Sequence, residues 1–513
     1  MNLKNLNLKF LIKAHTNIGL FALFFFYISA FFGTITLFKP QIYAWENPSR
    51  YFKKEETYNY KLDELVNRTI QEEGFSTNKV EITLPNYKDD VIAINDPAAR
   101  TKYINPYSLK MLDTTSDRSF LNVFFNDLHV GRNIPKIGQL LMGIASILMI
   151  FLVLSGVILF INKHKPKITF NFKWHRDLSL FLLPYIVVFS LTGAVLGFML
   201  STASPFAYSA TKGENTNMRS LVAPIIFPRD KVPVKSEEIK MLNIDNLMAK
   251  AKNNYKNLEI KKITLLQWND KNAKIKFSGY LKDNRILTGT INRQYITLSG
   301  VDGSIIKKQE LDKVHGVNKF LSGFYFFHFL PDETLIVRVI YAVLGIAFML
   351  SLAFGFLIYS NKKASKHKDN FQYYSFLNRF SISIMFGIIP ATALCLFLYW
   401  AIPNQLFERI IWIKGCFYAF WAATLLLSVY YDDIIDLLKA FCFLSSSLLF
   451  GTIIAHIMNA SDFLVVLTQS KEMHPVLYVD LVLLILSVIF FLLYKYMRKI
   501  RFLQKYTRIS YVS

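Results

Sequence analysis

Four histidines occupy matching positions in the sequence, and their residue type and spacing make them the best candidates for chemistry. His15, His129, His175 and His328 each stand at the start of one of the first four long apolar runs. Imidazole is a common ligand of iron and other metals. A haem iron can take both of its axial ligands from the protein. These histidines therefore indicate two candidate haem sites, provided that the fold brings them together in pairs.

About eight apolar runs are long enough to span a membrane. A hydrocarbon core of roughly 30 Å needs about 20 apolar residues in a helix, and 53% of the 513 residues are hydrophobic. The predicted spans are 17–38, 138–161, 178–200, 336–359, 380–402, 410–430, 434–458 and 476–496. The first run has no small-residue cleavage site and is too long for the core of a signal peptide, so we expect a retained anchor. The sequence thus predicts a polytopic α-helical membrane protein.

Positive charge is concentrated on one side of these spans. The net charge is +23, and the basic clusters are 4–13, 163–176, 362–379 and 495–508. With eight spans, all four clusters fall on the same side, which the positive-inside rule identifies as the cytoplasm. We therefore expect a multi-pass inner-membrane protein in the lipid bilayer, with both termini in the cytoplasm. A nucleic-acid surface needs no such regularity, so we predict no nucleic-acid partner.

Two polar segments, 39–135 and 201–333, then fall on the periplasmic side. Each opens with an amphipathic helix, at 62–73 and 244–254. Strand-like alternation follows at 80–84, 91–95 and 102–105, and again at 259–266, 273–278 and 286–291. This pattern favours two small periplasmic α+β domains. None of the three cysteines lies in them, and the chain has no Cys-x-x-Cys-His motif, so a haem has to be held noncovalently.

The first 360 residues contain an internal repeat. Aligning His15 with His175 places Gly33 opposite Gly193, because each glycine follows its histidine at the same interval. In the second and fourth runs, Gly156 follows His129 at the same interval as Gly355 follows His328. Each copy reads helix, exported domain, helix, and both copies start on the cytoplasmic side. The symmetry axis should therefore run along the membrane normal.

Such an axis pairs the histidines by face. It relates His15 to His175 at the cytoplasmic face and His129 to His328 at the outer face. Each histidine then faces its equivalent, as the two axial ligands of one iron do. The alternative for a single histidine is an ordinary polar residue at a helix end, and the symmetry of four argues against it.

Glycines and basic residues near the histidines suit the same use. Gly33 and Gly193 remove side chains where a flat macrocycle or another helix must come close. They are alternatively packing points between helices. Candidate partners for haem propionates are Lys13, Arg132, Arg176 and Arg338. Arg338 is the most informative of these, because an unpaired charge in the hydrocarbon region is costly.

These motifs resemble those of the PepSY-associated transmembrane family, iron-regulated bacterial inner-membrane proteins that include ferric-siderophore reductases. The motifs, within about residues 10–365, are His15-x3-Gly19-Leu20 with Gly33; Leu128-His129 with Gly138 and Ser155-Gly156; Trp174-His175-Arg176 with Leu191-Thr192-Gly193; and Phe327-His328-Phe329 with Arg338 and Gly345. The resemblance implies a four-helix core, built from a tandem helix–PepSY-like domain–helix repeat, that binds two haem b groups through the four histidines. It also implies electron transfer outward to a periplasmic ferric chelate, such as a ferric siderophore.

The chain departs from the family pattern in three places. Thr16 stands where a basic residue often follows the first histidine. The stretch 330–333 replaces a glycine-rich one, and four extra helices follow residue 380. These helices are expected to be a scaffold, although they are alternatively a docking site for a donor or quinol.

The electron donor and the activity each have an alternative. Because the sequence has no Gly-x-Gly-x-x-Gly fingerprint, electrons are expected from a separate cytoplasmic reductase or from quinol. The acceptor is a ferric chelate or, alternatively, a periplasmic redox protein. The rival from another class is a non-redox membrane protein whose PepSY-like domains bind peptide or regulate a protease.

The predicted organisation follows from these boundaries. It comprises the N-terminus and first span (1–38), the first PepSY-like domain (39–135), two spans with a basic loop (136–200), the second PepSY-like domain (201–333), the fourth span (334–360), a second basic loop (361–379), the C-terminal four-span bundle (380–498) and a basic tail (499–513).

Overall fold

The computed structural model describes residues 7–499, apart from 54, 56, 59, 87, 99, 113–118, 136, 163–168, 202–207, 210–211, 215–230, 291 and 461–474. Residues 500–513 of the predicted tail, part of the first basic loop and part of the second predicted PepSY-like domain lie outside the described residues. Within the described part, seven helices are long and apolar enough to cross a membrane, and the count is eight if one bent pair is a single span. The protein is therefore a polytopic membrane protein.

The elements follow the predicted repeat and then the C-terminal bundle. The helices are α1 (Leu8–Thr36), α2 (Lys39–Trp45), α3 (Leu62–Glu73), α4 (Phe120–Val130), α5 (Gly138–Ile161), α6 (Phe170–Phe181), α7 (Leu183–Ser201), α8 (Ile244–Asn254), α9 (Arg285–Thr288), α10 (Gly316–Phe329), α11 (Leu335–Lys366), α12 (Phe371–Phe386), α13 (Ile388–Ala401), α14 (Arg409–Tyr430), α15 (Ile434–Asn459) and α16 (Pro475–Tyr496). The strands are β1 (Lys79–Thr83), β2 (Ile92–Asn95), β3 (Thr101–Ile104), β4 (Met111–Leu112), β5 (Leu258–Leu266), β6 (Lys274–Leu281), β7 (Gln294–Ser299) and β8 (Ile305–Lys308).

One predicted span is a broken helix. The span predicted at 178–200 consists of α6 and α7, which bend by 69°. Pro184 lies just after the break, and its missing N–H removes a helical hydrogen bond. The span predicted at 380–402 consists of α12 and α13, which meet at Gly387 and together form one candidate span, Gln372–Ala401. Proline therefore explains the break between α6 and α7.

The two polar segments share one sheet, which corrects the prediction of two small domains. The strand order is β4-β3-β2-β1-β5-β6-β7-β8, so the first strand of each segment pairs with the other at the centre. A fully buried row crosses five adjacent strands through Ile94, Ile82, Ile263, Phe277 and Ile296. Since α3 and α8 bury their apolar faces in the same core, the two segments form one unit.

Helices α3 and α8 cap each other across this unit. The Asp245 carboxylate accepts from the backbone N–H groups of Leu62 and Asp63, and the Asp63 carboxylate accepts from the N–H of Ile244. The first N–H groups of a helix lack partners within the helix. Each repeat therefore supplies the cap that the other one needs.

One predicted strand is wrong. Residues 286–291 alternate in polarity, but α9 occupies Arg285–Thr288 and β7 begins only at Gln294. The Thr288 hydroxyl donates to the Asn284 carbonyl and accepts from the Leu281 N–H. These local hydrogen bonds favour a turn of helix over a strand.

The C-terminal bundle packs on both repeats. One buried cluster joins residues of α1 and α4 from the first repeat, and of α11 from the second, to residues of α13 to α16. A smaller cluster, which includes Met149 of α5, Ile186 of α7 and Phe348 of α11, fills the space between the two repeats. The bundle therefore covers one side of the core that the two repeats form.

The shared sheet predicts a specific crosslink. Glu81 of β1 lies opposite Thr264 of β5, and Thr264 lies opposite Lys276 of β6. In a variant without the native cysteines, Glu81→Cys with Thr264→Cys should form a disulfide, detected as linked peptides by mass spectrometry. Glu81→Cys with Lys276→Cys should not, because about 10 Å across two strand spacings exceeds disulfide reach. Linked peptides in the second variant alone would show that β1 and β5 do not pair.

Candidate functional site

The structure brings the four histidines together in the predicted pairs. The ring centres of His15 and His175 lie 6.5 Å apart, and those of His129 and His328 lie 6.1 Å apart. His15 lies in α1 and His175 in α6, whereas His129 and His328 end the short helices α4 and α10. The prediction that all four start membrane helices is therefore corrected for the last two. We call His129 and His328 the sheet-side pair, and His15 and His175 the far-side pair.

The separation of the rings fits axial ligation of one iron per pair. An imidazole nitrogen binds a transition metal at about 2 Å, so two imidazoles on opposite sides of one iron hold their ring centres roughly 6 Å apart. Both observed distances are close to this value. The residues present therefore fit a haem at each pair.

Two of the histidines donate to backbone carbonyls. Nδ1 of His129 lies 2.8 Å from the Ser29 carbonyl oxygen, and Nδ1 of His175 lies 2.9 Å from the Ser351 carbonyl oxygen. A carbonyl only accepts, so Nδ1 carries the proton in both rings. The lone pair of each ring is then on Nε2, the nitrogen that remains for a metal.

The other two histidines also carry the proton on Nδ1, but their hydrogen-bond partners are side-chain hydroxyls. Nδ1 of His15 lies 2.8 Å from Ser155 Oγ, which donates to the Leu152 carbonyl. Nδ1 of His328 lies 2.7 Å from Thr192 Oγ1, which donates to the Val188 carbonyl. Because each hydroxyl proton is already used, the hydroxyl accepts from Nδ1–H. All four Nε2 atoms are therefore left as bases.

Burial keeps the sheet-side pair neutral. Desolvation lowers the pKa of His129. Desolvation, with the repulsion that a protonated His129 would exert, lowers the pKa of His328 to about 3. The Phe189 ring lies 5.1 Å and the Phe329 ring 5.0 Å from the His328 ring. Since only an unprotonated nitrogen binds a metal, this apolar setting favours ligation.

Glycines leave room for the imidazoles. A Cβ on Gly33 would lie 2.9 Å from Cε1 of His129, and one on Gly355 would lie 3.0 Å from Cε1 of His175. A Cβ on Gly193 would lie 2.7 Å from Ser146 Oγ of α5. Gly33 therefore gives space to a candidate ligand, whereas Gly193 allows two helices to pack closely.

The three predicted arginines have protein partners. Arg176 Nε donates to the Asp177 carboxylate at 2.7 Å, and half-exposed Arg132 lies 3.6 Å from Asp127. Binding of haem propionates by these arginines stays a prediction.

Arg338 of α11 is buried and joins two helix ends. Its guanidinium donates to the carbonyl oxygens of Leu37 and Leu330 at 2.7 Å, and to that of Glu333 at 3.4 Å. Leu37 and Leu330 are the C-caps of α1 and α10. A cation is favourable at helix C-termini, where carbonyls lack partners. This contact explains the buried charge.

The two pairs lie at different depths along α1. This helix carries both His15 of the far-side pair and Ser29, whose carbonyl contacts His129 of the sheet-side pair. Since an α-helix rises about 1.5 Å per residue, these two positions are about 21 Å apart along its axis. The sheet-side pair contacts α1 near its C-terminal end, and the chain leaves α1 at that same end to form the sheet.

Sequence reasoning missed the groups that orient the histidines. Ser155 and Thr192 each stand directly before a repeat glycine, Gly156 or Gly193, so small hydroxyl residues at these positions were a usable signal. Ser29 and Ser351 act through backbone carbonyls. A carbonyl is present at every residue, so no sequence signal marks those two.

The burial of Arg338 predicts a difference between two arginines. Arg338→Met should leave backbone carbonyls without partners and destabilise the protein by about 3 kcal/mol or more. Arg132→Met is the matched control, and its exposed ion pair is worth less than about 1 kcal/mol. Thermal unfolding in detergent, followed by tryptophan fluorescence, compares them. Equal unfolding temperatures would contradict the capping role of Arg338.

Comparison with known proteins gives one result that bears on this site. A family model described as the PepSY-associated TM region matches residues 12–362. The match contains all four histidines and both repeats, and it ends before the C-terminal bundle. No curated protein matches the chain significantly. Since the matched region is more than half of the sequence, the chain belongs to the family of the PepSY-associated TM region.

Proposed function

We propose that the protein transfers electrons across the bacterial inner membrane through two b-type haems to a periplasmic ferric chelate such as a ferric siderophore. The observation that carries this proposal is the arrangement of the histidine rings, which face each other in two pairs with centres 6.5 Å and 6.1 Å apart and with Nδ1 hydrogen-bonded. In this proposal both termini lie in the cytoplasm, because the basic clusters mark that side.

The chain's own residues supply neutral and oriented ligands. A haem held by two histidines supplies a one-electron iron couple whose potential depends on the axial ligands and their surroundings. The oxygens of Ser29, Ser155, Thr192 and Ser351 fix each ring and raise the basicity of its Nε2. The Phe189 and Phe329 rings contribute an apolar surface beside His328 of the sheet-side pair.

The spacing of the pairs suits transfer across a bilayer. Their separation of about 21 Å along α1 covers most of a hydrocarbon core of roughly 30 Å. Two sites at these depths divide the distance that an electron has to cross. The electron donor in the proposal is a cytoplasmic reductase or quinol.

A ferric chelate is a suitable acceptor at the sheet side. Iron(III) binds hard oxygen donors tightly, and one-electron reduction to iron(II) weakens that fit. Reduction at this face releases the iron without moving the chelate through the bilayer. Helices α4 and α10 connect the shared sheet to the spans, so an acceptor bound there is close to His129 and His328.

A second candidate function rests on the edge of the sheet. All four residues of the terminal strand β8 are exposed. An exposed edge can bind an extended peptide as an additional strand. This observation favours the non-redox alternative, in which the sheet binds peptide or regulates a protease.

The proposal predicts an absorbance spectrum. Protein purified after expression with haem supplied should show sharp b-type bands on reduction with dithionite, and about two haems per chain by the pyridine haemochrome assay. His15→Ala with His175→Ala should lower this to about one, as should His129→Ala with His328→Ala. A colourless protein would overturn the electron-transfer proposal and leave the peptide-binding function.

The hydrogen bond from His328 to Thr192 predicts a second effect. Thr192→Val removes the acceptor for Nδ1–H, which should weaken retention of one haem roughly tenfold and raise its reduction potential. Thr192→Ser should behave like the wild type. Thr16→Val is the control, because the Thr16 hydroxyl bonds only the Ile12 carbonyl in the contacts described. Haem loss to apomyoglobin and a redox titration measure both effects, and an unchanged Thr192→Val protein would contradict this role.

A further inference from the structure

The C-terminal bundle makes two equivalent helices differ in their surroundings. Helices α4 and α10 are equivalent, and each carries one histidine of the sheet-side pair. In α4, Phe120, Phe124 and Phe125 are buried. In α10, Tyr325 and Phe326 are buried, but Phe320 and Phe329 are 68% and 49% exposed. The bundle and α1 together cover the aromatic side chains of α4.

Aromatic contacts fix α4 between the bundle and α1. The Phe124 ring lies 5.2 Å from that of Phe417 in α14, and the Phe120 ring lies 6.3 Å from that of Tyr399 in α13. On the opposite side, the Phe125 ring stacks on that of Phe32 at 5.6 Å. The residue after Phe32 is the glycine that gives space to the His129 ring.

A buried carboxyl group, that of Glu46, holds the start of α4. Glu46 Oε2 accepts from the Leu121 N–H at 2.8 Å, and Oε1 accepts from Asn122 Nδ2 at 2.7 Å. The Glu46 carbonyl accepts from the Tyr399 hydroxyl at 2.6 Å. Burial raises the pKa of Glu46 to about 8, and the hydrogen bonds from α4 act against that rise. This carboxyl is therefore buried at a cost that its contacts with α4 partly offset.

A polar cluster anchors the residue before Glu46 in the bundle. Trp45 Nε1 donates to Asp480 of α16 at 2.9 Å, and the same carboxylate lies 2.9 Å from Nδ1 of His456 in α15. The Tyr51 hydroxyl lies 2.8 Å from Nε2 of His456 and donates to the Trp45 carbonyl. Leaving a partner of such a cluster unpaired is costly in an apolar interior. Trp45 and Glu46 are therefore held firmly to the bundle.

We propose that the C-terminal bundle positions His129 through Glu46, which makes Glu46 a positioning residue for one ligand of the sheet-side pair. So short a helix as α4 is marginal in isolation, and its ends therefore depend on their contacts. Glu46 holds its first turn, and the Ser29 hydroxyl donates to the His129 carbonyl at its last. His328 has no equivalent support from the bundle among the contacts described. This inference rests on the proposed haem sites.

The test compares three variants of the full chain. Glu46→Ala removes both acceptors, Glu46→Gln keeps one acceptor oxygen and places an NH2 donor at the other position, and Ser446→Ala is the control. Ser446 bonds Ser487 between α15 and α16, so its loss weakens the bundle without touching α4. Low-temperature electron paramagnetic resonance and a redox titration report on each haem. Hydrogen–deuterium exchange of the α4 and α10 peptides is measured on haem-free protein as well.

Glu46→Ala should shift the resonance and potential of one haem and leave the other unchanged. Exchange of α4 amides should rise at least about tenfold, as expected for loss of buried hydrogen bonds, while α10 stays as in the wild type. Glu46→Gln keeps one of the two acceptors, so both readouts should lie between those of Glu46→Ala and the wild type, and Ser446→Ala should alter neither.

Other outcomes separate the two proposals. If the wild type binds haem and Glu46→Ala changes neither spectrum nor exchange, the positioning role is wrong and the haem sites stand. If no haem binds, the haem proposal fails, and α4 exchange in the haem-free protein still decides whether Glu46 holds this helix. Equal changes at both haems would also overturn the inference.

Discussion

The hydrogen bond from each imidazole Nδ1 to an oxygen on a neighbouring helix is the interaction on which the site depends. An unpaired N–H in an apolar interior is costly, so these bonds determine where each ring can lie. His15 bonds α5 and His129 bonds α1, both within the first repeat. In the second repeat, His175 bonds α11 and His328 bonds α7. Each repeat thus orients its own two histidines, and the pairs form only when the repeats associate.

The sheet and the membrane core make that association together. The central pair of strands, β1 and β5, joins the repeats outside the spans, and Asp63 and Asp245 cap each other's helices across the same axis. Within the spans, a Cβ on Gly345 of α11 would overlap Thr34 Oγ1 of α1, so these helices pack closely at a glycine. The separation of the rings in each histidine pair therefore depends on contacts both in the sheet and between the spans.

Much of this was predictable because a helix converts sequence intervals into positions. Equal intervals between histidine and glycine predicted which rings face each other, and the polar helices α3 and α8 lie where amphipathic patterns placed them. The single sheet was not predictable in the same way, because β1 and β5 are far apart in the sequence and their pairing leaves no local pattern. Glu46 was missed for a related reason. Its partners Leu121 and Tyr399 come from distant segments, and a lone glutamate after a membrane helix is usually solvated.

Because the two rings of a pair come from different repeats, any group that binds between them also bridges the repeats. Its binding free energy then adds to the free energy of their association, since a ligand that binds only the assembled state stabilises that state. The contacts at β1, β5 and Gly345 bring the rings to the required separation beforehand, which lowers the cost of binding. The bundle extends this principle to only one of the two short helices that carry the sheet-side pair. It orders α4 before any group binds between the rings, whereas the Phe320 and Phe329 side chains of α10 stay exposed. The two halves of the sheet-side pair are therefore equivalent in sequence position but different in how firmly the rest of the protein holds them.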